Sequence, residues 1–126
     1  MPNWKPNRDK VKWDYGAASD AANELRRAAA LLRDATVRRR ASADVAKAEW
    51  RGRFRDQFDH DLTTMVNRAL ELADQMESKA REIEGASERA QAEEKRRRSE
   101  IERWEREKRE EERRERERKE RERRRD

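Results

Sequence analysis

The stretch Ala48-Glu49-Trp50-Arg51-Gly52-Arg53-Phe54-Arg55-Asp56-Gln57-Phe58 divides the chain. A large aromatic, one spacer and a glycine stand between two segments of about thirty residues, each with helical spacing of its apolar positions. A glycine here can take the positive-φ conformation that ends one helix and lets the chain reverse. Equal arms around it predict an antiparallel two-helix hairpin turning at Trp50-x-Gly52.

On the N-terminal side, Ala18, Ala22, Leu25, Ala29, Leu32, Thr36, Ala43, Ala46 and Trp50 recur at spacings of three and four, with Arg39 the one strongly polar member. This is one coiled-coil-like seam, alanine-rich enough for a facing helix to approach closely. Val37, Ala41 and Val45 lie beside it and widen the apolar face for a further helix. Asp14, Ser19 and Asp20 are the candidate N-caps, because their side-chain oxygens accept unpaired amide hydrogens of a first turn. On the other side, Phe54, Phe58, Leu62, Met65, Ala69, Leu72, Met76, Ala80 and Ile83 mark the second stripe. If the fold centres on Gly52, the numbers of facing residues add up to about 104. That register sets Trp50 by Phe54, Ala46 by Phe58, Leu32 by Leu72, Ala29 near Met76 and Ala22 near Ile83, in most cases small against large. Gly85 weakens the second helix and marks the end of the packed region.

The sequence therefore reads in three parts: an irregular arm over 1–16, the hairpin over 17–85, and a charged tail over 86–126. Pro2 and Pro6 disfavour helix in the arm. Trp13 and Tyr15 are expected to pack against the open end of the hairpin, or else to form a contact patch. In the tail Ile101 and Trp104 are the last apolar residues, and everything from Glu105 to Asp126 is charged. Glu precedes Arg by four at Glu94–Arg98, Glu102–Arg106, Glu105–Arg109, Glu110–Arg114, Glu112–Arg116 and Glu117–Arg121, which favours a solvated helical rod over a random coil. The tail is a solubilising extension, or a docking handle anchored by Ile101 and Trp104.

Composition bounds the chemistry. Of 126 residues 52% are charged and 32% apolar, so apolar surface must be gathered into narrow stripes, as in long helices. Basic residues number 35 and acidic ones 30, leaving a net charge of +5. Clusters such as Arg38-Arg39-Arg40, Lys95-Arg96-Arg97-Arg98 and Arg123-Arg124-Arg125 are interleaved with acids, which argues against a nucleic-acid binder. With no cysteine, disulfides and thiolate sites are excluded. His60 is the only histidine, and Asp56, Asp59 and Asp61 point in different directions at helical spacing, so no metal site is expected. No Gly-rich phosphate loop is present, no cofactor is implied, and no Ser or Thr has an imidazole base beyond His60. A non-enzymatic protein is expected. The first residues hold no apolar run, so no cleavable signal peptide is expected, and with no stretch of about 18 apolar residues no membrane span is expected either.

Trp50-Arg51-Gly52, with Phe58 eight residues beyond the tryptophan and matched arms on both sides, resembles the WXG family of small ESX-type proteins linked to type VII secretion in Gram-positive bacteria. The resemblance covers about residues 17–85. It implies a helical hairpin that pairs antiparallel with a second copy or a relative, with Trp50, Gly52, Phe54 and Phe58 fixing the turn and contributing to recognition by the export machinery. It also implies either a cytoplasmic location or export without a cleavable signal. The family's trailing motif, a Tyr followed four residues later by Asp or Glu, is absent. Tyr15 is the only tyrosine, and Trp104 is followed at that spacing by Lys108. The departure points to a partner that travels with, or stays behind for, a signal-bearing relative. The alternative reading is a cytoplasmic coiled-coil adaptor that uses the charged rod as a spacer, with a nucleic-acid-binding helical protein a less favoured third.

Overall fold

In the computed structural model, which describes residues 2–125, Asp14 caps the first helix: its carboxylate accepts the Ala17 amide at 2.9 Å and its carbonyl the Ala18 amide at 3.0 Å. Helix α1 then runs Tyr15–Lys47 and helix α2 runs Arg53–Arg125, with no strand among the described residues. The fold is all-α, as the spacing predicts. The chain divides into two compact units, residues 14–87 and residues 1–13 with 88–126.

The first unit is the hairpin. α1 fits a 33-residue seam of high-propensity residues, about 50 Å long at 1.5 Å per residue. Its end is set by the chain reversal, with Ala48 N–H reaching Val45 O at 3.4 Å and Trp50 N–H reaching Lys47 O at 2.9 Å. Gly52 carries φ +83°, a backbone conformation that L side chains rarely adopt. Asp56 N–H then bonds Gly52 O at 3.2 Å, which starts α2. The Lys47 ammonium, in the last turn of α1, pairs with Asp44 at 3.1 Å and with Asp59 of α2. A cation there also meets the negative end of the α1 dipole. Both carboxylates hold the Lys47 pKa above its ordinary value, Asp59 more than Asp44.

The interior of the hairpin is built from small side chains. Ala29, Ala73 and Ala80 have no exposed surface, and Ala18, Ala22, Leu62, Val66 and Thr36 complete the buried set. Alanines from both helices are the most buried residues. Leu25, Leu32, Phe58, Met76 and Ile83 are half-buried. Thr36 fits the buried seam because its hydroxyl donates to Leu32 O at 2.6 Å.

Two details of the stripes differ from expectation. α2 buries Val66 and Ala73, whereas their neighbours Met65 and Leu72 are exposed, as is Phe54. The helix has apolar residues on a face wider than one contact can cover, and close approach selects the side carrying Ala73 and Ala80. Trp50 and Ala46, drawn at the end of the α1 seam, are exposed as well. The register also runs slightly off. Arg39 reaches Met65 Sδ at 4.0 Å, a pair whose numbers total 104, whereas Arg33 pairs with Glu77 and Arg26 with Glu84, pairs that total 110. Long arginines lean along the helix to reach carboxylates, which accounts for part of that spread.

The second unit joins two segments that the sequence reading kept apart. α2 continues through Gly85 without a break. A single helical glycine costs only about 1 kcal/mol and does not stop a helix that its neighbours support. From residue 88 onward the helix is mostly solvated, and the non-helical arm packs on its first turns. Trp4 Nε1 donates to Glu107 at 2.8 Å, and the Arg103 guanidinium lies over the Trp4 ring at 4.3 Å. Arg8 lies over Trp104 at 5.3 Å, and Arg97 donates to Asp9 O at 2.8 Å. The tail is helical, as expected, but over these turns it is not a lone rod. Its ion pairs run through a different set from the one predicted, including Glu93–Arg97, Arg96–Glu100, Arg103–Glu107 and Glu120–Arg124. Each arginine has acids on several sides, so spacing alone does not select the partner.

Candidate interaction surface at the turn and open edge

Trp50 sits over the start of α2. Its ring meets Phe54 edge-on at 5.6 Å between centroids and Phe58 at 5.1 Å, with interplanar angles of 61° and 81°. Such edge-to-face pairs each contribute about 0.5–1.5 kcal/mol beyond area burial. The Arg55 guanidinium donates to Trp50 O at 3.1 Å and fixes the backbone of the turn. The four residues singled out in the sequence thus come together: Gly52 reverses the chain, and Trp50, Phe54 and Phe58 form one aromatic cluster. The cluster is not sealed. Trp50 keeps 37% of its surface exposed and Phe54 73%.

From this cluster an apolar edge continues along the hairpin. Phe54, Phe58, Met65, Leu72 and Met76 share one side of α2, next to the buried stripe of Leu62, Val66 and Ala73. Across from it, α1 contributes Leu32, Ala35 and Ala43. Two adjoining hollows lie between them. One, of about 280 Å³, is lined by Leu32, Ala35, Thr36, Arg39, Met65, Val66 and Ala69. The other, of about 310 Å³, is lined by Arg39, Ala43, Phe58, Asp61, Leu62 and Met65. Both are open to solvent and mostly apolar. Arg39, which interrupts the α1 seam, lines both, and Asp61 joins it at the second, so a basic and an acidic group stand in a mostly apolar trough. A second set of exposed aliphatics, Leu31, Val37 and Val45, lies on α1 away from its buried stripe. The sequence pattern marks Val37 and Val45 but not Leu31, which carries no periodic signal of its own.

Ion pairs fasten the two helices along the polar margin. Arg33 holds Asp74 at 2.7 Å and also Glu77, and Arg26 holds Glu84. The hydrogen bond from Arg33 keeps the Glu77 carboxyl below the usual range, and Glu84 raises the Arg26 guanidinium. In the tail, hydrogen bonds from Arg96 and then Arg97 lower Glu93 to about 2. These groups are solvated, so they set register more than stability. His60 is exposed on α2, and its carbonyl accepts the Thr64 hydroxyl at 3.0 Å. Among the described residues no group of three or more metal-ligating side chains converges, and no helix is long and apolar enough to cross a membrane.

The other predicted contact residues fall elsewhere. Trp13 belongs to the arm-and-tail unit, with 38% of its surface exposed, and Tyr15 is the half-buried first residue of α1. Ile101 and Trp104 are half-buried on the tail where the arm lies. Trp4 reads from the sequence only as a large apolar group of the arm, with no contact assigned, and Arg8 is not marked at all. The signal that could have found them is the four-residue interval between an aromatic and a guanidinium in an extended arm. Comparison with family models, with curated proteins and with solved structures finds no match for this chain.

Proposed function

We propose that the protein is a non-enzymatic helical-hairpin interaction module of the WXG type, whose open apolar edge is completed by a second hairpin, a copy of itself or a relative. The observation that carries this reading is the exposed edge of Phe54, Met65 and Leu72, which begins at the Trp50–Gly52 turn. A hairpin whose most buried residues are alanines leaves its large side chains on the margin. A second pair of helices would bury them as in a four-helix bundle. By the resemblance of the turn, the pairing serves type VII secretion, with this chain as substrate, escort or partner.

The test is a paired substitution, Met65→Glu with Leu72→Glu, in the full chain. Both side chains are exposed, so helicity and hairpin stability should be retained. The complex formed by the chain, alone or with native-cell extract, should disappear in sedimentation. Retention of the same complex by the double variant would overturn the proposed edge. Trp50→Ala tests the link to the turn: unchanged stability, association and export would remove the turn's assigned role.

A further inference from the structure

The tail's last apolar residues are covered by the chain's own N-terminus, and the cover is made by specific contacts. Trp4 lies between the Arg103 guanidinium, at 4.3 Å from its ring, and Glu107, to which its indole N–H donates at 2.8 Å. Arg8 reaches the face of Trp104 at 5.3 Å, with Lys108 also 5.3 Å from that ring. Arg97 takes the Asp9 carbonyl at 2.8 Å. Between these anchors an open hollow of about 400 Å³ is lined by Asn7 to Val11 of the arm and by Glu94, Arg97, Arg98, Ile101 and Glu102 of the tail.

The geometry is a matched antiparallel reading. As arm numbers rise from Trp4 to Asp9, their tail partners fall from Glu107 to Arg97. Five extended residues span up to ~18 Å at 3.3–3.6 Å each, and ten helical residues span ~15 Å at 1.5 Å each. An extended segment with Trp and Arg four residues apart therefore fits this helix face without bending. Pro2 and Pro6 keep the arm from becoming helix, and so keep it in that reach.

We propose that the arm is a self-docked ligand. Residues 2–13 act as an intramolecular strap on a tail face that binds extended segments with a Trp-x-x-x-Arg spacing, and they close that face to other chains until the strap lifts. Tethering gives the arm an effective concentration in the millimolar range, so an outside segment of the same chemistry must compete with it. Ile101 and Trp104 are thus a masked handle, independent of the apolar edge of the hairpin.

The test uses the full chain, its Trp4→Ala/Arg8→Ala variant, and a labelled peptide of residues 2–13 as probe. Neither substituted residue belongs to the hairpin. The peptide should bind the variant at least ten-fold more tightly than the intact chain. Hydroxyl-radical footprinting should show Trp104 protected in the intact chain and several-fold more reactive in the variant. Equal peptide binding to both, or equal Trp104 reactivity, would overturn the strap. Protection of Trp104 that falls on dilution would assign the arm to a second copy, and so overturn the intramolecular form proposed.

Discussion

Replacing Gly52 by alanine isolates the backbone contribution of the turn. Gly52 sits at φ +83°, and a Cβ built there meets no other atom within 4 Å. The substitution therefore adds no clash, and its cost is the left-handed backbone alone, about 1–2 kcal/mol for a residue bearing Cβ. Gly16 supplies the internal control. It lies in the first turn of α1 without positive φ, and a Cβ there meets only Asp14 Oδ1, at an ordinary 3.5 Å. Gly16→Ala should stabilise by about 0.5–1 kcal/mol, because alanine loses less freedom on entering a helix. The two changes have the same chemistry and opposite sign. Total helical signal is a poor readout, since the tail contributes to it without belonging to the hairpin. Hydrogen exchange at the amides of Ala29, Ala73 and Ala80, which have no exposed surface, reports the hairpin itself. Gly52→Ala should speed that exchange roughly 5- to 30-fold, and Gly16→Ala should slow it. Equal effects of the two substitutions would refute the assignment of the turn to a left-handed Gly52.

Ala73→Leu should destabilise the hairpin by about 1–3 kcal/mol, because the extra carbons have no room at a fully buried contact; Leu72→Ala, one residue away and 46% exposed, should cost far less in a chemical denaturation series. Asp14→Ala removes the carboxylate that accepts Ala17 N–H and should cost about 1 kcal/mol, read as faster exchange confined to the first turn of α1. The carboxyl of Glu93 should titrate near 2 in the folded tail, against an ordinary value of 4.5, in a side-chain NMR titration. A depressed folded pKa gives stabilisation that is present above the ordinary carboxylate range and is lost as pH falls toward 2. Local protection over 93–97 should therefore persist at pH 6 and fade below about 4, and Glu77 in the hairpin should follow the same direction.

The fold was legible because few forces compete in this sequence. Two prolines at one end, an alanine-rich seam and a glycine between equal arms leave little besides a helical hairpin. The cap at Asp14 and the turn at Gly52 follow from local chemistry, so they could be read residue by residue. The choice between Met65 and Val66, or between Leu72 and Ala73, could not. Both members of each pair are apolar, and the decision rests on how closely two helices approach, a tertiary quantity. The same holds for the arm. Trp4 and Arg8 lie in an irregular segment with no period, and their partners are about a hundred positions away in the chain. The sequence marks Gly85 as the end of the packed region, and the hairpin unit ends at residue 87, while α2 itself passes through the glycine, since one glycine costs less than a long supported helix supplies.

The central claim is that the hairpin edge beginning at the Trp50–Gly52 turn receives a second helical hairpin. Placing a photo-crosslinking side chain at Leu72, on that edge, and separately at Asn67, on the exposed side away from it, tests this directly in the native cell. The account predicts crosslinks from Leu72 to one small helical protein, this chain or a relative, and few from Asn67. Equal crosslinking at both positions, or capture of no hairpin protein at Leu72, would contradict it.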